Sequence, residues 1–116
     1  MRLIIFALAM ILCDIITGIL KAVYKGNINS TYLRKGLLHK VSEIVAIGVC
    51  YIIEYGIAYA GLNIDLHIAA AIAIYISLME IISVLENISE VNSKLSGFLK
   101  PYLEKLKGDE TDAEGD

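Results

Sequence analysis

Three long runs of apolar residues, separated by short polar segments, dominate the chain. They extend over Leu3 to Leu20, Ile44 to Leu62 and Ile68 to Leu85, and each run contains one acidic residue. At 1.5 Å per residue, runs of this length reach about 27 to 29 Å, close to the thickness of the hydrocarbon core of a bilayer. Backbone groups in lipid need hydrogen bonds within their own segment. The pattern therefore predicts three transmembrane helices, at about 3–23, 44–62 and 67–86.

The acidic residue in each run opposes membrane insertion, so its energetic cost must be compared with the gain from the apolar residues. A central acid costs roughly 2.5–3.5 kcal/mol on insertion, whereas each Leu, Ile, Phe or Val returns about 0.3–0.6 kcal/mol. The first and third runs contain enough such residues to offset Asp14 and Glu80, whereas the middle run, with Glu54, is near balance and needs its neighbours. A cleaved signal peptide is the alternative for the first run because Arg2 precedes it, but Asp14 interrupts the apolar stretch and no small-residue cleavage site ends it.

The segments outside these runs are amphipathic or acidic. In 31–43 an apolar residue recurs every fourth position among basic residues, which predicts a helix that either contacts anionic lipid headgroups or simply extends the second span. Segment 88–107 has apolar residues at spacings of three and four, with an interruption predicted near Gly97 to Pro101. It either lies on the membrane surface or pairs with a second copy. Residues 1–107 are predicted to form one membrane domain, and 108–116 a disordered acidic tail.

Composition agrees with a membrane protein. Hydrophobic types make up 57% of the chain and charged types 20%, which excludes a soluble enzyme core and a disordered chain. Two cysteines, each within an apolar run, exclude a disulfide scaffold. The predicted fold class is an all-α integral membrane protein with three transmembrane helices plus short amphipathic cytoplasmic helical segments.

The distribution of basic residues predicts the orientation. Lysine and arginine are concentrated between the first two spans and after the third, and are absent from 63–67. By the positive-inside rule, the first loop and the C-terminus are cytoplasmic, and the N-terminus lies outside.

Polar residues recur on one face of each predicted span, with the weakest pattern on the second. Lipid disfavours such faces, so they are expected to turn toward one another, toward other subunits or toward water. One interpretation is a lumen or oligomer interface, and the other is a structural set of hydrogen bonds inside the bundle. The candidate residues are Asp14, Thr17, Gly18, Lys21, Glu54, Ser77, Glu80, Ser83 and Asn87.

No motif for chemistry accompanies these faces. The sequence lacks a nucleotide-binding glycine loop, a zinc helix motif and a nucleophile with a credible base. We therefore expect no enzyme activity, no cofactor, no metal site and no nucleic-acid partner.

Three strings carry a resemblance to a known family. They are DIITGILKA at 14–22, NSTYLRKGLLHK at 29–40 and YISLMEIISVLEN at 75–87. Together they resemble the holin family that serves phage lysis and toxin secretion in Gram-positive bacteria. The matching positions are Asp14, Gly18, Lys21, Ala22, Asn29, Ser30, Gly36, Lys40, Glu80, Ser83, Glu86 and Asn87.

The resemblance implies a pore-forming protein. It implies copies that oligomerise in the bacterial cytoplasmic membrane and release a phage endolysin or a large toxin as cargo. An antiholin is a further implied partner. Two alternatives stay open: an antiholin-like regulator of another holin, and a small ion-coupled transporter subunit.

Overall fold

A computed structural model of the protein describes residues 2–26 and 28–115, with side chains as far as Gly108. Within this part of the chain, the regular secondary structure consists of four helices: α1 (Arg2–Lys25), α2 (Ser30–Tyr59), α3 (Ile68–Val91) and α4 (Ser93–Gly115). The first three are long and apolar enough to cross a membrane. The predicted all-α fold with three membrane spans is confirmed.

The bounds of α1 and α2 follow from local chemistry. α1 ends where Gly26 adopts a φ of 65°, the left-handed conformation that glycine takes without strain. α2 begins after Asn29, whose Oδ1 accepts hydrogen bonds from the backbone N–H groups of Thr31 and Tyr32 at 3.0 and 3.4 Å. The helix then continues without a break, so the predicted amphipathic segment 31–43 and the second span form one helix of 30 residues. It ends at Tyr59, three residues before the predicted end of the span.

A single residue, Asn92, separates α3 from α4. Asn92 is extended, and its Oδ1 accepts hydrogen bonds from the backbone N–H groups of Lys94 and Leu95 at 3.1 and 3.3 Å. The prediction of an interruption near Gly97 to Pro101 is wrong, because α4 passes through Pro101. The helix boundary lies instead at Asn92, where a side chain can satisfy the free N–H groups of a new helix.

The helical backbone of α4 extends to Gly115, over most of the stretch for which the sequence predicts disorder. The side chains of 109–115 and residue 116 lie outside the described part of the structure. The disordered acidic tail at 108–116 stays a prediction.

α3 is the central helix of the bundle. It contacts α1 most extensively and also contacts α2 and α4, whereas α1 and α2 scarcely touch. The core contains Ala7 and Ile11 of α1, Ile47 of α2, and Ala73 and Ile76 of α3. Both alanines are 0% exposed, so small side chains let α1 and α3 approach closely, as is common between membrane helices.

Large apolar side chains cover the outside of the bundle. Ile5, Leu12 and Ile52, for example, are 59%, 57% and 69% exposed. A surface of this kind suits contact with lipid tails, whereas water would disfavour it. The polar side chains buried in the interior include Asp14, Ser77, Glu80 and Asn87.

Candidate functional site

An ionic cluster joins the three apolar helices. The Lys40 ammonium on α2 lies 2.6 and 2.8 Å from the two carboxylate oxygens of Glu80 on α3. It also forms an ion pair with Asp14 on α1. The Lys40 side chain is 15% exposed and that of Glu80 is 4% exposed. Charges buried to this extent are tolerated only when they are paired and hydrogen-bonded, so the three side chains depend on one another.

Hydrogen bonds extend the cluster along the α1–α3 interface. Asp14 Oδ1 accepts from the Ser83 hydroxyl at 2.5 Å and from the Asn87 amide at 3.1 Å. The same Asn87 amide nitrogen donates to Thr17 Oγ1 at 3.1 Å, and the Thr17 hydroxyl donates to the backbone carbonyl of Cys13 at 2.9 Å. These contacts use the polar faces that the sequence predicts for the two helices.

Gly18 completes this part of the interface. A Cβ atom placed on Gly18 would lie 3.8 Å from the amide nitrogen of Asn87, an ordinary contact distance. The glycine therefore leaves room for the Asn87 side chain beside α1, but the space is limited to about one methyl group.

Glu43 adds a third carboxyl group beside Lys40. Its Oε1 lies 3.6 Å from the Lys40 ammonium and 3.7 Å from Nε2 of His39. This oxygen is buried and accepts no hydrogen bond within the described part of the chain. Asp14, Glu43 and Glu80 thus surround one lysine, and this excess of acidic groups makes Lys40 the side chain on which the cluster depends.

A second group of charges begins about two helical turns beyond Asp14 along α1. Lys21 and Lys25 on α1 both contact Glu90 on α3, at 3.4 and 2.9 Å. These side chains are partly exposed, so their pairing contributes less than the buried contacts of Lys40. Lys21 shares the polar face of Asp14, as predicted, but its partner is Glu90.

Glu54 lies apart from the ionic cluster. Its Oε1 accepts a hydrogen bond of 2.9 Å from the backbone N–H of Ala69, in the first turn of α3. A carboxylate at this position satisfies an N–H group that the helix leaves free and interacts favourably with the helix dipole. The structure therefore does not bring Glu54 together with Asp14, Lys21 and Glu80.

Ser77 is also separate from these polar contacts. It is buried at 5% exposure, and its hydroxyl has no hydrogen-bond partner within the described residues. Its spacing places it on the polar face of α3, but the neighbouring buried residues Ala73 and Ile76 belong to the apolar core.

The remaining family-motif residues lie outside the ionic cluster. Asn29 caps α2 and Ser30 is its first residue. Ala22 and Gly36 line a cleft between α1 and α2. Glu86 on α3 lies 3.5 Å from the ammonium of Lys107 on α4.

Sequence reasoning misses the pairing of Lys40, because Lys40 lies outside the predicted span at 44–62 and belongs only to the basic flank and the family motif. The sequence nevertheless contains a pattern that indicates an inward-facing Lys40. The weak polar stripe of the second span begins at Glu43, and one helical step of three residues toward the N-terminus reaches Lys40. Extending that stripe would have placed a lysine on the inward face.

The arrangement can hold helices together or let them separate. While the side chains of the ionic cluster pair with one another, these groups need no water inside the bundle. If the helices part, each group needs water or a new partner, and the polar faces then favour an aqueous environment. Within the described residues, no group of three or more His, Cys, Asp or Glu side chains is arranged to hold a metal ion.

Comparisons with known proteins identify the family of the chain. An uncharacterized protein of Halalkalibacterium halodurans is 29% identical to this chain over 104 residues, which make up 90% of this chain and 77% of that protein. No solved structure matches the chain. The sequence model of the bacteriophage holin family matches residues 1–108, which include all three apolar helices and the whole ionic cluster. The chain belongs to the bacteriophage holin family and is a multi-pass membrane protein.

Proposed function

We propose that copies of this chain assemble in the cytoplasmic membrane into holes that release a cell-wall hydrolase or a large toxin from the cytoplasm. Family membership supports a holin-like membrane protein that forms oligomers in the membrane. That the oligomers form holes large enough to release a protein cargo is our proposal.

The observation that carries this proposal is the ionic cluster. Asp14, Lys40 and Glu80 come from three different helices and are buried against one another within one subunit. A subunit in this state presents mainly apolar side chains to its surroundings and can remain dispersed in lipid. The polar groups of its ionic cluster are paired with one another inside the bundle.

Hole formation would exchange these internal contacts for water. If neighbouring subunits pack side by side and their helices rotate, the polar faces of α1 and α3 can line an aqueous lumen while the apolar faces stay in lipid. Two packings of similar energy are needed for such a switch. Ion pairs and hydrogen bonds that water can replace provide a small energy difference between them, because hydration offsets most of what the contacts contribute.

We also propose that α1 begins outside the cell and that the α1–α2 connection and α4 are cytoplasmic. This orientation follows the concentration of basic residues on one side of the bundle. Reporter fusions at the N-terminus, in 63–66 and at the C-terminus test it. Cytoplasmic activity is expected for the C-terminal fusion alone, and the reverse pattern would contradict the proposed orientation.

Inducible expression in bacteria, with and without a cytoplasmic muralytic enzyme, tests hole formation. Abrupt loss of culture turbidity only when both proteins are present is the expected result. Membrane insertion is checked in the same cultures by fractionation, and the enzyme expressed alone is the control.

The other outcomes favour the alternative functions. Steady growth with both proteins, despite insertion, would contradict the proposal. Delayed lysis by another holin on co-expression would then assign the chain to the antiholin-like regulators. Saturable, ion-selective flux without enzyme release would assign it to transporter subunits.

A further inference from the structure

A cleft of about 530 Å³ lies between α1 and α2, with α3 at its back. It exists because α1 and α2 scarcely touch, although both pack on α3. Its volume is within the range of roughly 300–1,000 Å³ that is typical of small-molecule sites. Its surface is mostly apolar, and its charged side chains are unevenly distributed.

The end of the cleft near the α1–α2 connection is basic. Lys21 and Lys25 line it, together with Asn29 and Tyr32. Both ammonium groups share the single carboxylate of Glu90, so this group carries one positive charge in excess. The two lysines are also partly exposed, which leaves their remaining N–H groups able to donate to an anion that enters the cleft.

The walls beyond these lysines are apolar. Ile15 and Ile19 of α1 face the cleft from one side, and Leu33 and Leu37 of α2 from the other. Gly36 also lines it, and a Cβ atom on Gly36 would meet nothing within 4 Å. The space between these walls is therefore open to a hydrocarbon chain.

The back of the cleft is polar but already paired. Asp14 and Lys40 contribute to it, and they form an ion pair with each other. Asn87 also lies there and donates to Asp14 and Thr17. The lysines near the connection are consequently the groups best placed to bind a ligand charge.

We propose that this cleft binds one anionic phospholipid, with its phosphate beside Lys21 and Lys25 and an acyl chain between the apolar walls of α1 and α2. A basic group above an apolar slot between membrane helices matches an amphiphile with an anionic head. Inorganic phosphate shares the anionic chemistry but would leave the apolar walls uncovered. This site is independent of hole formation, because it requires only a folded subunit in a bilayer.

Native mass spectrometry of the full chain tests the proposal. The protein is extracted from vesicles that contain equal amounts of phosphatidylglycerol and phosphatidylcholine, and the lipids retained by each subunit are counted. We expect one retained phosphatidylglycerol per subunit and at least a several-fold preference over phosphatidylcholine. The Lys21→Gln/Lys25→Gln variant is expected to lose this preference.

Two further variants separate the site from general charge and from misfolding. Lys100→Gln/Lys105→Gln makes the same charge change on exposed positions of α4 and is expected to keep the preference. Gly36→Leu keeps every lysine but fills the apolar slot, so it is expected to reduce lipid retention. Circular dichroism confirms helix content for each variant.

Three results would overturn the proposal. Retention that is unchanged in Lys21→Gln/Lys25→Gln would exclude the lysines as the binding groups. Equal loss in Lys100→Gln/Lys105→Gln would reduce the effect to overall charge. Displacement of the lipid by millimolar inorganic phosphate would assign the basic group to a free anion.

Discussion

Lys40 on α2 is held in contact with Glu80 on α3, with its ammonium 2.6 and 2.8 Å from the two carboxylate oxygens. The two residues are 40 positions apart in the chain, and Asp14 from α1 reaches the same ammonium. One lysine thus connects all three apolar helices. Disturbing it is expected to affect the packing of the whole bundle.

Lys40→Met is expected to destabilise the bundle by about 3–5 kcal/mol, because it leaves buried carboxylates without their cation. Equilibrium unfolding by SDS in mixed micelles, followed by circular dichroism, measures the change. Lys35→Met is the matched control, since Lys35 is exposed on the same helix; it is expected to change stability by no more than about 0.5 kcal/mol. Equal stabilities for the two variants would show that Lys40 does not hold the helices together.

Glu80→Gln is expected to advance the time of lysis in the co-expression assay. Both Glu80 oxygens accept from the Lys40 ammonium, whereas an amide offers one oxygen and turns an N–H donor toward the same ammonium. Because the side-chain shape is kept, the closed packing is weakened more than it is distorted. Glu104→Gln, at an exposed position of α4, is the control and is expected to leave the lysis time unchanged. Delayed or unchanged lysis in Glu80→Gln would contradict the role proposed for the cluster in the closed state.

Substitutions of Gly18 are expected to depend on side-chain size. Gly18→Ala places a methyl group at ordinary contact distance from Asn87 and is expected to be nearly neutral or slightly stabilising. Gly18→Leu would push the Asn87 amide away from Asp14 and is expected to cost about 1–3 kcal/mol. The same SDS unfolding experiment measures both. Gly48→Leu is the control, because nothing lies within 4 Å of a Cβ at that position.

Glu54→Ala is expected to reduce stability by about 0.5–2 kcal/mol through the loss of its hydrogen bond to the first turn of α3. Glu54→Gln keeps an oxygen acceptor and is expected to retain most of that stability. Glu54 and Lys40 are separated by about 21 Å along α2. Their effects should therefore add within about 0.5 kcal/mol in the Lys40→Met/Glu54→Ala double variant. A larger coupling energy would place Glu54 in the ionic cluster.

The spans and their polar faces are predictable from sequence because both depend on local patterns. Hydropathy alone locates three apolar helices, and a period of 3.6 residues places Asp14 with Thr17 on one face, and Glu80 with Ser83 on another. The structure confirms the three helices, and side chains on both faces form hydrogen bonds between α1 and α3. The capping role of Asn92, by contrast, is not predicted from sequence, because Gly97 and Pro101 are stronger helix breakers in general.

Apolar runs and helical periodicity are local properties, so the sequence alone is enough to predict an all-α membrane protein with a polar face on each span, and its motifs indicate the holin family. Which polar groups contact one another depends on how the helices pack. Lys40 pairs inside the bundle although it lies beyond the predicted span, whereas Glu54 on the same helix contacts the start of α3. Periodicity gives the rotation of a residue about its own helix, but contact also depends on how far each helix is shifted along its neighbours. That shift is set by packing in the core, to which α1 contributes Ala7 and α3 contributes Ala73.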